Sequence, residues 1–431
     1  MIWNPQAERL ERPARERLQL ERLRDTIRWA GERVAFHRAR IGGVTIGSLD
    51  DLPRLPFVRK SDLRDQYPFG LLAVDRREVA RIHASSGTKG KPTVAPYTAE
   101  DLDVWREVMA RALTAAGARR GDLLHVAFGY GLFTGGLGFH DGAERLGMTV
   151  VPVSSGNSAR HHLLLQDFRP DVLAATPSFA LHLAETMAEQ GGQPRELGLR
   201  VGVFGAEPWT DAIRAALERA FDLTAFDVYG LSEVIGPGVA GECEARDGLH
   251  IADDHFLPEI IDPESGEALP PGREGELVLT TLTKRAMPLV RYRTGDITSL
   301  NLEPCRCGRT SARMARIKGR SDDMLIVKGV NLYPSEVERT LLAMAELAPH
   351  YQLVVDRAAT LARLEVQVEP APELIARCGG FAADHPEIAA LRRRAAEQLR
   401  QATGLSVELT IVAPRTIPRS EGKAVRVIER G

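Results

Sequence analysis

Residues 85 to 92 read Ser85-Ser86-Gly87-Thr88-Lys89-Gly90-Lys91-Pro92, which gathers hydroxyls, glycines and lysines in one short loop. Such a loop can surround phosphate oxygens with backbone N–H groups and hydroxyls. It is not a Walker loop, because Gly87 and Gly90 are too close and Pro92 follows Lys91 where that motif places Ser or Thr for Mg2+. Taken alone, the stretch also fits a plain Ser/Gly surface turn. A second set is Cys243, His250, Cys305 and Cys307, spaced as Cys-x6-His and then Cys-x-Cys ahead of Gly308-Arg309. Three thiols and an imidazole match a closed tetrahedral zinc site, structural because no position remains for a catalytic water. The tight Cys-x-Cys spacing leaves unbound buried thiols as the alternative, with His255 as a substitute ligand, while Cys378 stands apart as a plain small residue.

These groups must be positioned by a large scaffold. The chain has 431 residues, 44% of them hydrophobic, enough for a sizeable core and two or three structural units. A net charge of -2 provides no long-range field for nucleic acid or an anionic membrane, so small molecules are the expected partners. No apolar run approaches about 18 residues and no charged-then-apolar leader follows Met1, so neither a membrane span nor a secretory signal is expected. The expected location is cytoplasmic. Four cysteines in a chain of this length do not make a disulfide framework.

Residues 6 to 41 place Leu20, Leu23, Ile27, Ala30 and Val34 at helical spacing, which predicts an amphipathic helical arm over residues 1–45, packed on a larger body and without a functional role. A short strand, Val79 to Ala84, precedes the hydroxyl-rich loop. Apolar runs at Leu123 to Phe128, Met148 to Val153, Val172 to Ala175, Leu199 to Phe204 and Ala225 to Tyr229 alternate with helical stretches, which predicts a mostly parallel, helix-covered sheet. The turns Asp262-Pro263 and Pro270-Pro271-Gly272 before the run Glu276 to Leu282 predict an antiparallel, barrel-like layer in the same domain. After Arg320 the pattern resets: Pro334-Ser335-Glu336-Val337-Glu338 opens a helix, Tyr351 to Val355 and Leu364 to Val368 read as strands, and Ile388 to Thr403 as a charged helix. The fold class is α/β (mixed α+β), with a large N-terminal domain over residues 1–321 and a small C-terminal α+β domain over residues 322–431.

The loop at 85–92 is followed in order by Phe204-Gly205-Ala206-Glu207-Pro208-Trp209, Val228-Tyr229-Gly230-Leu231-Ser232-Glu233, Tyr292-Arg293-Thr294-Gly295-Asp296, Gly319-Arg320-Ser321-Asp322 through Lys328-Gly329, and Pro418-Arg419-Ser420-Glu421-Gly422-Lys423. This series resembles the adenylate-forming acyl-CoA ligases, and within them the phenylacetate-CoA ligase subfamily. The stretches from Gly129 to Gly138, Gly236 to Ala240 and Leu279 to Lys284 are similar to that subfamily in particular, so the likeness spans nearly the whole chain.

The resemblance implies two half-reactions. An acid is joined to AMP as pyrophosphate leaves, and a thiol then opens the mixed anhydride, with ATP, Mg2+ and CoA required. It also implies that Ser85, Ser86, Gly87, Thr88, Gly90 and Lys91 surround the polyphosphate, with Ser86 and Thr88 on the β and γ phosphates. Ser232 would contact the α-phosphate, Glu233 would bind Mg2+, and Asp296 would take the ribose hydroxyls. Tyr229 would stack on adenine, with Gly230, Glu207 and Asp227 in the same pocket and Arg320 reaching the nucleotide. Lys423 would bridge the carboxylate and α-phosphate, and rotation about a hinge at Asp322 would make the small domain mobile and carry Lys423 away. Lys328 and Gly329 would then line the thiol's path.

Tyr130, Phe133, Gly135, Gly136, Gly205 and Ala206 would wall the acid pocket, a mixture of flat and very small residues that suits a planar ring. Three features depart from the subfamily pattern: Lys89 in the phosphate loop, Ala252 where Trp is usual, and the pair His161-His162, which reads as part of a surface helix. Ala252 puts phenylacetate itself in question, though not aryl-acid activation. Both CoA and the phosphopantetheine arm of a carrier protein fit as acceptor, and a homodimer is compatible with the sequence. A non-catalytic nucleotide-sensing protein of the same fold is disfavoured by Lys423, Glu233 and Asp296 occurring together.

Overall fold

The computed structural model describes residues 1–85, 92–321, 325–327, 330–356, 363–405, 407–420, 422 and 424–430. The chain forms two compact units. One comprises Met1–Ala175, Glu196–Ala206 and Leu223–Ile317; the other comprises Thr176–Arg195, Glu207–Asp222 and Lys318–Gly431. Asp322, the expected boundary, lies outside the described residues.

The first unit opens with helices α1 (Pro5–Glu8), α2 (Arg12–Arg33) and α3 (Ala35–Ile41), and a fourth, α4, spans Lys60–Asp65. The arm at residues 1–45 is helical, as its spacing predicts, and buries Leu23, Ile27, Ala30 and Val34. It is not, however, a simple apolar stripe. Arg15 is buried against Asp253 and also donates to Thr310 Oγ1 at 2.9 Å, and Gln19 Nε2 donates to the Asp253 carbonyl at 2.7 Å.

A hairpin of β1 (Arg81–Ser85) and β2 (Thr93–Tyr97) leads into α5 (Ala99–Ala115). Thr98 and Asp101 cap α5 reciprocally: Thr98 Oγ1 accepts from the Asp101 N–H at 3.1 Å, and Asp101 Oδ2 accepts from the Thr98 N–H at 3.0 Å. The next elements are β3 (Leu123–Val126), α6 (Gly135–Leu146), β4 (Thr149–Pro152), α7 (Ser158–Phe168) and β5 (Val172–Ala175). Helices α8 (Pro177–Glu189) and α9 (Asp211–Phe221) belong to the second unit and flank β6 (Val201–Gly205) in the chain. Then come β7 (Thr224–Leu231), β8 (Gly236–Glu242), β9 (Leu249–Ile251), β10 (Phe256–Ile261), β11 (Gly275–Thr281), β12 (Tyr292–Thr298), β13 (Leu300–Asn301) and β14 (Arg313–Met314).

Nine of these strands make one sheet in the order β13-β14-β9-β8-β7-β6-β5-β3-β4. The strands from β4 to β7 pair in parallel, as the alternating strands and helices predict, whereas β8, β9, β14 and β13 extend the same sheet antiparallel. The separate antiparallel layer is β10-β11-β12. Helix α5 is buried against α6 and β8, where Trp105, Met109, Leu113 and Phe139 are essentially inaccessible.

The surface reading of His161 and His162 is overturned. Helix α7 turns both inward, 0% and 4% exposed, and leaves Leu163 and Phe168 facing out. His161 Nδ1 lies 2.8 Å from His125 Nε2 on β3, and burial holds these imidazoles down at about 4 and about 3 respectively. Two neutral rings sharing a hydrogen bond can be buried where a charged one could not.

In the second unit, strands Glu408–Ile411, Arg363–Pro370, Leu347–Asp356 and Val427–Arg430 form a four-stranded sheet in that order. The two central strands are antiparallel and each edge strand is parallel to its neighbour. Helices α10 (Pro334–Leu342), α11 (Pro372–Cys378) and α12 (Pro386–Thr403) complete it, with Leu341, Leu353, Val366, Leu391 and Leu399 in its own core.

Candidate active site

The carboxyl ends of parallel strands leave carbonyls, turns and helix starts facing one edge, where α/β proteins bind ligands. In the first unit that edge carries the predicted residues of β6, β7 and the loop after β3. Strand β7 crosses into β8 through the four-residue turn Ser232–Ile235, with a register shift at Tyr229/Gly230 that re-aims the side chains beyond it. A Cβ at Gly230 would stand 1.8 Å from the Gly236 carbonyl oxygen, so the hairpin closes this tightly only with glycine there.

Tyr229 donates its hydroxyl to Asp296 Oδ2 at 2.6 Å, which joins the end of β7 to β12. Asp296 is 7% exposed, and its own N–H is held by Thr294 Oγ1 at 3.0 Å. Asp227 faces Arg316, whose Nε lies 3.6 Å from Asp227 Oδ2 and 3.7 Å from Glu242 Oε1, while Glu242 Oε2 also accepts the Asp227 N–H at 2.8 Å. These partners of Asp227 were not legible in the sequence, because Arg316 and Glu242 occur in no recognisable motif.

Ser232 and Glu233 are 5% and 6% exposed. The Ser232 hydroxyl lies 3.1 Å from Thr134 Oγ1 at the start of α6. Three backbone carbonyls of this turn are taken by buried donors: Tyr97 gives its hydroxyl to Ser232 O at 2.8 Å and to Ile235 O at 3.2 Å, and Lys284 Nζ donates to Glu233 O at 3.0 Å. The Glu233 carboxylate in this turn is a hard-oxygen donor of the kind that suits Mg2+.

Tyr130 and Phe133 rest on the first turn of α6. A Cβ at Gly136 would come 2.9 Å from the Tyr130 ring, and one at Gly135 would come 2.7 Å from the Phe133 ring. Tyr130 is fixed at both ends, its N–H donating to Ser154 Oγ at 3.2 Å and its hydroxyl meeting His140 Nδ1 at 3.2 Å. Gly205 approaches β7 so closely that a Cβ would lie 2.2 Å from Val228 O, and Ala206 follows with φ +70.

Ser85 ends β1 with its buried hydroxyl lacking a hydrogen-bond partner among the described residues. Ser86, Gly87, Thr88, Lys89, Gly90 and Lys91, together with Asp322, Lys328, Gly329 and Lys423, lie outside the described residues. Glu207 belongs to the second unit, where its carboxylate accepts the N–H of Ser178 at 2.7 Å and of Ala424 at 2.8 Å. Arg320 is half-buried in the same unit.

Cys243, His250, Cys305 and Cys307 converge, with one donor atom from each all within 4.8 Å of one another. The Cys243–Cys305 sulfur separation is 3.8 Å and Cys307 Sγ lies 3.5 Å from His250 Nε2. Both match the edges of a tetrahedron with metal–sulfur bonds near about 2.3 Å and metal–nitrogen bonds near about 2.0 Å. The other imidazole nitrogen meets Ser311 Oγ at 3.2 Å, the outer contact that orients a ligating histidine. A hydrogen bond from Cys243 holds the Cys307 thiol well below its usual range, with help from His250 and Arg309. The substitute His255 is not part of the cluster. It pairs with Thr283 Oγ1 at 2.9 Å and Asp254 at 3.2 Å, and burial holds its imidazole down at about 4.

The family model described as AMP-binding enzyme matches residues 18–282, and that of the AMP-binding enzyme C-terminal domain matches residues 329–430. The chain is 52% identical to phenylacetate-coenzyme A ligase of Thermus thermophilus, over 99% of this chain and 98% of that one. The chain belongs to the phenylacetate-CoA ligase family of AMP-binding enzymes. Its identity to the family's Escherichia coli phenylacetate-coenzyme A ligase is 48%, over 96% of this chain and 94% of that one. Among solved structures, 2-hydroxyisobutyryl-CoA ligase in the postadenylation state with 2-HIB-AMP matches with TM-score 0.93 and 31% identity, covering 100% of this chain and 92% of that one. No helix among the described residues is long and apolar enough to cross a membrane.

Proposed function

We propose that the protein activates phenylacetate, or an acid of similar flat and compact shape, with ATP and transfers it to CoA. Membership of this family makes it an acid–thiol ligase that works through an aryl-adenylate. In the first half-reaction the acid's carboxylate oxygen bonds to the α-phosphorus as the bond to pyrophosphate breaks. In the second, the CoA sulfur bonds to the acyl carbon as the bond to AMP breaks. The observation that carries the site assignment is the Tyr229–Asp296 hydrogen bond, made on the same hairpin as Ser232 and Glu233.

In this reading the Asp296 carboxylate, oriented by Tyr229, accepts the ribose hydroxyls, and the Ser232 hydroxyl, steadied by Thr134, meets the α-phosphate. Glu233 would hold Mg2+, which offsets the charge of the transferring phosphate when bound. By the family resemblance, residues 86–91 would complete the polyphosphate site, Lys423 would supply the cation for adenylation, and Arg320 and Glu207 would contact the nucleotide. The rings of Tyr130 and Phe133, packed on Gly135 and Gly136, give the acid a flat wall. Phenylacetate is favoured because the relatives at 52% and 48% identity carry that name, which outweighs the change at Ala252. Cys243, His250, Cys305 and Cys307 would hold a structural zinc that pins β8, β9 and the loop before β14. ATP and CoA as co-substrates support a cytoplasmic location.

Pyrophosphate release with ATP and Mg2+ tests this reading across phenylacetate, benzoate and their hydroxy and amino derivatives, each with and without CoA. Release stimulated by CoA with phenylacetate is the expected result. Release indifferent to CoA points to a carrier protein as acceptor, and no release with any aryl acid contradicts the reading.

A further inference from the structure

Lys284 is a buried charge that the reading above leaves without a role. It lies in the loop between β11 and β12, is 4% exposed, and stands 4.4 Å over the Tyr97 ring while donating to the Glu233 carbonyl at 3.0 Å. Burying an ammonium is costly, and an apolar side chain of similar volume would fill the same space without that cost. The ammonium is nevertheless kept there by two contacts, the face of the Tyr97 ring and the Glu233 carbonyl. Its loop is also anchored: Asp101 accepts the N–H groups of Arg285 at 2.6 Å and Ala286 at 2.9 Å, so the residue that caps α5 also sets the height of Lys284.

Lys284 and Tyr97 therefore form one device. Between them they bind the carbonyls of Ser232, Glu233 and Ile235, which no strand pairing satisfies, and they fix the turn from beneath. With its backbone fixed, the turn has little freedom in where it presents the Ser232 hydroxyl and the Glu233 carboxylate. We propose that Lys284 is a positioning residue for Glu233, holding its carboxylate where the metal–nucleotide complex is bound. This rests on the reading of Glu233 as the Mg2+ ligand.

The test is equilibrium binding of α,β-methylene-ATP titrated with Mg2+, in the absence of aryl acid, for wild type and for Lys284→Met, Lys284→Gln, Tyr97→Phe and Glu233→Gln, with melting temperature followed for each. Lys284→Met should raise the Mg2+ concentration for half-saturation about tenfold. Lys284→Gln, which keeps a donor but no charge, and Tyr97→Phe, which keeps the ring but no donor, should each raise it about threefold. The KM for the aryl acid should stay within about twofold in all of these variants, a split that a general loosening of the fold would not produce. If Lys284→Met does not fold, Lys284→Gln and Tyr97→Phe decide. An unchanged Mg2+ dependence in the folded Lys284 variants, with a shift in Glu233→Gln, overturns the role of Lys284 alone. An unchanged dependence in Glu233→Gln overturns the metal-ligand reading and this inference with it.

Discussion

The turn at Ser232–Glu233 and the cysteine cluster are two buried polar constructions in the same unit, and they are supported differently. At the turn, the groups assigned to chemistry are held from outside their own motif, by Tyr97, Thr134 and Lys284, which are distant in sequence. At the cluster, the four donors hold one another, and their outer contacts tie down a different part of the chain. Arg309, buried next to the cluster, reaches Cys307 Sγ at 3.5 Å, Glu8 Oε2 at 2.5 Å and the Met1 carbonyl at 2.7 Å. In the proposed reading the first arrangement orients groups toward a ligand, whereas the second fastens the N-terminal arm to the sheet. Loss of the first should therefore be read in kinetics and loss of the second in stability.

The largest expected effect is at Glu233: Glu233→Gln should slow acid-dependent ATP–pyrophosphate exchange by about 10²- to 10³-fold, the size seen when one charge-stabilising group is removed, with little change in melting temperature. Cys305→Ser, or treatment with a strong chelator, should do the reverse. The melting temperature should fall markedly as several kcal/mol of metal-linked folding free energy is lost, and residues 1–33 should become open to limited proteolysis while the KM for ATP holds. Tyr229→Phe should raise the KM for ATP about tenfold, the cost of removing a hydrogen bond to a charged partner, and should leave the KM for the aryl acid unchanged.

The smallest effect concerns pH. His125, His161 and His255 are buried with imidazoles held at about 3, about 4 and about 4, below the ordinary value of 6.5. The unfolded chain therefore binds more protons between about pH 6.5 and 4, so their contribution is complete above 6.5 and is lost as pH falls through that window. Melting temperature should drop on acidification from pH 7 to 5, and His161→Gln should make that drop shallower. A flat profile in the wild type would show that these rings do not govern acid stability.

Much of the framework was legible. Val172 to Ala175 is a strand at its predicted bounds, and the other parallel strands begin or end within a few residues of their apolar runs, because a strand buried on both faces is a continuous apolar run bounded by turns. Strand β8, Gly-Pro-Gly-Val-Ala-Gly-Glu, was not read as a strand, since glycine and proline carry no alternation, and so the antiparallel extension of the main sheet went unseen. The members of the cysteine cluster could be read because thiols are scarce and chemically specific. Lys284, Asp101, Arg316 and Arg309 could not, because a charged residue in a sequence looks like surface until its partner arrives from another strand or loop. His161 and His162 failed for a related reason: histidine fits either face of a helix, and only the proximity of His125 settles which.

The measurement that tests this division most directly is acid-dependent ATP–pyrophosphate exchange in Glu233→Gln and Cys305→Ser, side by side, at a temperature where both are folded. The account predicts that Glu233→Gln loses about 10²- to 10³-fold and that Cys305→Ser stays within about threefold of wild type. A folded Cys305→Ser enzyme as inactive as Glu233→Gln, or a Glu233→Gln enzyme that exchanges normally, would contradict it.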